Sequence, residues 1–251
     1  MDVFSKQSFW KEYGTTPDYQ ERFERICGYI SQQAHSLIDI GCGDCSVIRK
    51  LNKKKPELFL VGVDTFQQST INSVDYCQAR LPLLPFPEKS FDIVISLEVL
   101  EHIDDIKKTI DEIQRLARKQ IIIGVPYLEN LQTLSTVCNV CKKTSHAYGH
   151  LHSFTKNDMV DLLPGFEIEK WSLVGLKQRR VSHIGIFLEH NLAGSFFHAD
   201  QFICPFCGSN QSAERRKGPV IFPIIHGLNR ILTLFSPPIP YWIIASYIRK
   251  S

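Results

Sequence analysis

The sequence predicts an α/β fold, a mostly parallel sheet covered by helices on both faces, with a small inserted module. Three observations predict it. Short apolar runs alternate with amphipathic helical stretches, and that alternation requires parallel crossovers covered on both sides. A glycine turn, Gly41-Cys-Gly43, joins the first apolar run to the helix after it. The β-branched run Ile121-Ile-Ile-Gly-Val125 suits a strand buried on both faces.

Each element follows from its pattern. Residues 5–34 show helical spacing, with Phe9, Trp10 and Tyr13, then Phe23, Ile26, Cys27 and Ile30, set among charges. Thr15-Thr-Pro-Asp18 divides the stretch into two helices, with Thr15 or Thr16 as cap and Pro17 opening the second. Ser36–Ile40 predicts a strand, Val47–Lys53 a helix, and Leu58–Val63 a second strand ending at Asp64. Phe91–Leu97 is a further strand; Glu98–His102 then leads into a charged helix ending near Arg118, before the strand Ile121–Val125. Thr155–Leu163 reads as a helix, and Phe166–Val174 and His183–Leu188 as strands.

Composition narrows the function classes. Hydrophobic residues are 43% of the chain and charged residues 22%, which excludes disorder and simple repeats. A net charge of +3 is too small to argue for nucleic acid. Residues 1–14 hold no basic region followed by an apolar run, so a cytoplasmic location is expected. In a reducing compartment, paired cysteines read better as metal ligands than as disulfides.

The glycine turn lets backbone approach a ligand, and the helix that follows presents oriented N–H groups to it. Taken alone, a tight strand-to-helix turn explains Gly41 and Gly43 equally well. Asp64 lies 23 residues after Gly41 at the end of the next strand, where a carboxylate can accept from both hydroxyls of a ribose. NAD and S-adenosylmethionine both carry adenosine. A dinucleotide fingerprint would place its third glycine at Ser46, which disfavours a pyrophosphate site.

The segment Leu84-Pro-Phe-Pro-Glu-Lys-Ser-Phe-Asp-Ile-Val-Ile-Ser-Leu-Glu-Val-Leu-Glu-His102 decides between them. With Leu37-Ile-Asp-Ile-Gly-Cys-Gly43 and Val61-Gly-Val-Asp64, it strongly resembles class I S-adenosylmethionine-dependent methyltransferases of the type 11 kind. The resemblance covers residues 9–127 closely, and 150–175 and 240–249 more weakly. It implies a Rossmann-like, seven-stranded, mostly parallel sheet, with a last antiparallel strand inserted between the fifth and sixth. It also implies S-adenosylmethionine as cofactor. Asp39 would set the loop and the methionine end, while Gly41, Cys42 and Gly43 line the cofactor backbone. Asp64 would bind the ribose, Thr65 and Phe66 would lie beside the adenine, and Leu97 and Glu98 would flank the methionine end. Where the family often has an acidic residue on the adenine amino group, this chain offers Gln78, whose carbonyl can accept the same bond.

Methyl transfer needs alignment first and a base second. Glu101 and His102 follow the fourth strand and are candidate catalytic groups; His152, with His150, is an alternative base. Each has a purely structural reading as well. Cys42 and Cys45 read as small fillers of the turn rather than a redox pair.

Cys138-Asn-Val-Cys141 and Cys204-Pro-Phe-Cys207 form two knuckle-like pairs, the second with zinc-ribbon character. Together they supply the four ligands that tetrahedral zinc prefers, and one structural zinc is expected. The 62 residues between the pairs exceed a compact ribbon, and a Cys-rich site using His146 is the runner-up.

The expected organisation is a cofactor-binding core over 1–130, a Cys-rich, substrate-side region over 131–218, and an apolar helix with a final core strand over 219–251. The strand is Tyr241–Ile248, and residues 219–248 read either as part of the core or as a peripheral membrane contact. The expected function is methyl transfer to an unidentified small metabolite, sugar or lipid-linked acceptor. The alternative is a catalytically silent module of the same fold that holds a protein or RNA partner through its zinc knuckles.

Overall fold

The computed structural model describes residues 14–66, 74–192, 194–199, 202–212 and 221–250. The earlier of the two expected N-terminal helices, with Phe9, Trp10 and Tyr13, lies outside the described residues. The described chain divides into two compact units, one spanning 14–127, 154–175 and 242–250, the other 128–153 and 176–241.

The larger unit is a twisted sheet with helices packed on it. Helix α1 (Pro17–Tyr29) starts at Thr16, whose Oγ1 accepts from Tyr19 N at 3.2 Å, with Pro17 fixing the first helical φ. Strand β1 (Ser36–Ile40) runs into the glycine turn and α2 (Ser46–Lys54). Then follow β2 (Phe59–Asp64), β3 (Asp75–Gln78) and β4 (Phe91–Leu97). A 3-10 turn (Leu100–His102) and α3 (Ile106–Leu116) lead to β5 (Ala117–Pro126). The second unit's hairpin is β6 (Ser135–Val137) and β7 (Thr144–His146). Helix α4 (Lys156–Asp161) has a capping box between Thr155 and Asp158, and β8 (Phe166–Arg179) follows. Helices α5 (His183–Asn191) and α6 (Ile221–Leu234) precede β9 (Pro238–Arg249).

The main sheet has seven strands in the order β3-β2-β1-β4-β5-β9-β8. Strands β1 to β5 pair in parallel, and β9 lies antiparallel to β5, with Ile123 opposite Ala245. The inserted antiparallel strand therefore stands where the family resemblance placed it. Trp242–Tyr247 is buried at every position, as a central strand requires. The core gathers Ile38, Val94, Ile113, Ile121, Phe166 and Tyr247, nearly all without exposure. Chain order reverses between β1 and β4, and open α/β sheets bind ligands at the carboxyl ends of the strands beside such a reversal.

Strand β3 is an addition to the sequence reading. Its four residues are only half-buried or exposed, so no alternation marks it, and pairing with β2 defines it. The second unit holds a correction. His183–Leu188, expected as a strand, is the body of helix α5. Ile184, Ile186 and Leu188 alternate as in a strand, but six residues are too few to separate the two periods. Packing on α6 decides: a Cβ on Gly185 would stand 1.9 Å from Asn229 Oδ1, so the two helices cross closely there.

Candidate active site and metal centre

At the reversal point the larger unit forms a pocket from residues of α1, the β1 turn, β4, β5 and β9. Of the sequence-predicted cofactor residues, Asp39, Gly41, Cys42, Leu97 and Glu98 line it. Gly43, Asp64, Thr65, Phe66 and Gln78 form the adjoining ledge at the ends of β2 and β3. Asp64 Oδ2 accepts from Gly43 N at 2.9 Å, and its Oδ1 accepts from Thr65 N at 2.7 Å. Gln78 sits opposite Asp64 in the β2–β3 register and donates through Nε2 to Thr65 O at 2.9 Å. One carboxylate thus ties the glycine turn to the β2 ledge.

The turn has no room for a side chain at Gly41. Gly41 has φ +78°, and a Cβ there would lie 2.2 Å from Val99 Cγ2. Beneath it, the Cys42 and Cys45 sulfurs are 3.2 Å apart and buried, and a Cβ on Gly62 would approach them to 2.9 and 3.0 Å. Cys42 is held as a thiol: its shared hydrogen bond with Cys45 and its burial push its pKa far up.

Asp39 is 2% exposed, and burial, followed by the charge of Asp64, pushes its carboxyl up to about 8. A raised folded-state pKa adds stability that is complete below the unfolded value near 4 and is lost as pH rises through 8. Chemical denaturation is expected to show stability falling between about pH 4 and about pH 8, by an amount on the order of several kcal/mol. Asp39→Asn should flatten that slope; an unchanged slope would remove Asp39 as its source.

Several pocket residues escaped sequence reading: Tyr19, Arg22 and Phe23 on α1, Ser46 at the start of α2, and Trp242 on β9. Arg22 is 8% exposed, pairs with Glu98, and lies 4.2 Å over the Trp242 ring. Glu98 holds a left-handed backbone, φ 58°, while its N–H donates to Gly124 O at 2.9 Å. The available signal was an arginine between Phe23 and Tyr19 on the apolar stripe of α1. Of the expected catalytic groups, Glu101 is fully buried in the 3-10 turn and His102 is half-buried beside it.

In the second unit the four cysteines converge. Cys138 Sγ lies 3.6 Å from Cys207 Sγ, and Cys141 Sγ lies 3.5 Å from Cys204 Sγ. A tetrahedron with Zn–S bonds of about 2.3 Å has edges of about 3.8 Å, so the donor set fits zinc. The two turns repeat one design. Lys142 N donates to Cys138 O and Gly208 N to Cys204 O, while Cys138 N and Cys204 N donate to Lys143 O and Ser209 O. The residue after each second cysteine is left-handed, Lys142 at φ 61° and Gly208 at φ 72°. Burial raises the Cys138 thiol, but backbone N–H groups of Cys141 and Val140 outweigh it and bring it down to about 6.

His146 is not part of this thiol group. It stacks on His150 with ring centroids 4.5 Å apart, and its Nδ1 accepts from Tyr148 N at 3.3 Å and His150 N at 3.1 Å. The ring proton therefore sits on Nε2, which faces Glu129 Oε1 at 3.7 Å. Burial first, then His150, pulls His146 down to about 4, so it is neutral. A protonated Nε2 has no lone pair for a metal, and His146 joins Glu129 through His150, from whose backbone N–H it accepts and whose Nδ1 meets the carboxylate. Glu129 accepts from His150 Nδ1 at 2.5 Å and Tyr241 OH at 3.0 Å. His152 is half-buried in the same unit.

Comparison with known proteins agrees with this geometry. A family model described as a methyltransferase domain matches residues 38–123, from β1 into β5. That segment, about a third of the chain, is similar to the methyltransferase domain and contains the glycine turn, Asp64 and the β4 end described above. An uncharacterized methyltransferase of Schizosaccharomyces pombe is 26% identical over 99 residues, 33% of this chain. The chain spans about a third of that relative's length, 36%.

Solved structures share the methyltransferase fold over nearly the whole chain. A chain in the complex between the Haloferax volcanii Trm112 methyltransferase activator and the putative methyltransferase has TM-score 0.59 and 12% identity, covering 100% of this chain and 99% of that one. Burkholderia thailandensis 1,6-didemethyltoxoflavin-N1-methyltransferase, solved with 1,6-didemethyltoxoflavin and S-adenosylhomocysteine, has TM-score 0.56 and 11% identity, covering 99% and 85%. An S-adenosylmethionine-dependent methyltransferase from Archaeoglobus fulgidus has TM-score 0.55 and 15% identity, covering 96% and 98%. At these identities the likeness is one of fold.

Proposed function

We propose that this methyltransferase binds S-adenosylmethionine in the pocket at the β1–β4 reversal and moves its methyl group to a small metabolite, sugar or lipid-linked acceptor. The observation that carries the proposal is the turn at Gly41, where a Cβ would clash with Val99, flanked by the carboxylates of Asp39 and Asp64. S-adenosylmethionine supplies a methyl group already activated on a cationic sulfur, so the protein's task is alignment.

The residues divide that task. Asp64 takes the ribose hydroxyls, giving up its present bonds to the loop amides. Thr65, Phe66 and Gln78 border the adenine, and Gln78 can turn its amide oxygen toward an exocyclic amino group. Glu98 and Arg22 meet the amino and carboxylate groups of the methionine end, matching opposite charges on the two partners. Asp39 and Leu97 hold the turn and wall beside them. His102 is the proposed base for an acidic acceptor, with Glu101 and His152 as the other two groups able to take a proton.

Cys138, Cys141, Cys204 and Cys207 are proposed to hold one structural zinc, which would make the second unit fold as a metal-dependent module. A cytoplasmic setting keeps these thiols reduced.

Calorimetric titration with S-adenosylmethionine tests the site. Loss of two charge-assisted hydrogen bonds in Asp64→Ala should weaken binding by about 100-fold. Undiminished affinity would remove Asp64 from the site. Labelled cofactor incubated with cell extract, followed by mass spectrometry of labelled products, would identify the acceptor.

A second reading is a catalytically silent module of this fold held by a protein partner. The likeness to a chain of the Trm112 activator complex supports it. Tight cofactor binding with no methyl transfer to any extract component would favour it.

A further inference from the structure

We infer that helices α5 and α6 form a peripheral docking surface for an anionic phospholipid bilayer. The inference concerns the second unit alone and does not rest on the methyl-transfer reading.

Helix α6 has two faces. Ile225 and Asn229 turn inward, 6% and 4% exposed, and meet α5 at Gly185. Ile224, Leu228 and Ile231, with Phe235 just past the helix end, recur at one helical face and turn outward, 47–83% exposed. Helix α5 repeats the arrangement, burying Gly185 and Ile186 and exposing Ile184 and Phe187 at 68% and 59%. A water-facing helix ordinarily places charge on that side. Here the outward stripes are the apolar ones, and in α6 Arg230 is the only charged residue.

Charge identifies the occupant. Residues 176–241 hold seven Lys and Arg against three Asp and Glu, a net of +4, while the rest of the chain sums to −1. One of the three acidic residues, Glu189, is bonded to His226 Nδ1 at 3.1 Å. Arg230 is exposed on α6, and Arg179 Nη1 donates to Leu234 O at 2.7 Å and to Ser236 O at 2.6 Å, at the end of that helix. An apolar helical face accompanied by clustered basic residues suits an anionic lipid surface. A second copy docked on this face would set Arg179 and Arg230 against their own copies, a repulsion that a bilayer of anionic lipid converts into attraction. Among the described residues no helix is long and apolar enough to cross a membrane. The 14 residues of α6 extend about 21 Å, short of a hydrocarbon core of about 30 Å, so the helix lies on the bilayer and does not span it.

The test is co-sedimentation of the full chain with vesicles of phosphatidylcholine alone and of phosphatidylcholine with phosphatidylglycerol. Wild type should partition at least about tenfold more strongly onto the anionic vesicles, and less so as salt rises. The double variant Leu228→Asn with Ile231→Asn, at exposed positions, should lose at least about tenfold of that partitioning while keeping the wild-type melting temperature. Ile224→Asn provides a second variant if the first melts early. No partitioning by wild type, or equal partitioning by a well-folded variant, overturns the inference. So does a concentration-dependent dimer in sedimentation velocity that the variants abolish, which would give the face to a second copy.

Discussion

Cys204→Ser is expected to strip the chain of zinc and unfold the second unit. Metal analysis of protein purified without chelator should find about one zinc per chain in wild type and less than about a tenth of that in the variant. Structural zinc in small modules contributes roughly 10–16 kcal/mol of apparent folding free energy, more than the small apolar core here can replace. That core is Cys138, Ala147, Ala199, Phe202 and Cys204, two of its five members being proposed zinc ligands. Without the metal, four thiols remain within 4.8 Å of one another, with backbone donors arranged to favour the thiolate. Limited proteolysis should then cut within 128–153 and 176–241, while fragments of the seven-stranded sheet persist. Zinc-free wild type with two disulfides by mass spectrometry would refute the assignment.

Gly41→Ala should abolish cofactor binding while leaving the sheet assembled. The new methyl group would need to share space with Val99 Cγ2 at 2.2 Å on a backbone held at φ +78°. The left-handed conformation costs an L-residue about 1–2 kcal/mol, and overpacking against a β-branched side chain adds about 1–3 kcal/mol. Val99 follows Glu98, itself left-handed, so its displacement disturbs the wall opposite the turn. Affinity for S-adenosylmethionine should fall by more than about 100-fold, with a stability loss of about 2–4 kcal/mol. Gly28→Ala is the matched control. Gly28 lies in α1 with nothing within 4 Å of its added Cβ, so that change should be neutral or stabilising by up to about 1 kcal/mol. Equal effects of the two substitutions would show that the turn has no special need of glycine.

Much of the fold was legible because its signals are local. Ser36–Ile40 and Phe91–Leu97 are largely apolar runs, interrupted only by Ser36, Asp39, Asp92 and Ser96, and strands buried on both faces read that way. Pro17 after Thr16, and Thr155 three residues before Asp158, mark helix starts through backbone chemistry alone. The reading failed where the signal is carried by another segment. Strand β3 exists because β2 offers it an edge, and α5 is a helix because α6 offers Gly185 a partner.

The candidate site divides in the same manner. Gly41, Asp39 and Asp64 were visible because a phosphate-free adenosine site needs a tight turn and a strand-ending carboxylate at set spacing. Arg22 was not, because nothing near it in sequence shows that Glu98, 76 residues away, and Trp242 meet its guanidinium. The two-residue gaps of the cysteine pairs raised the expectation of a shared metal. Only the folded chain brings Cys138 to Cys207 and Cys141 to Cys204, and only it separates His146 from them.

Strands β1, β2, β4, β5 and β9, the glycine turn and the likeness to methyltransferases were therefore legible in the sequence by itself, since each rests on residues close together along the chain. The pocket's α1 and β9 walls, the grouping of four thiols and the outward apolar faces of α5 and α6 were decided by tertiary structure. Those features depend on which distant segments meet, and burial is a property that a side chain acquires only from its neighbours in space.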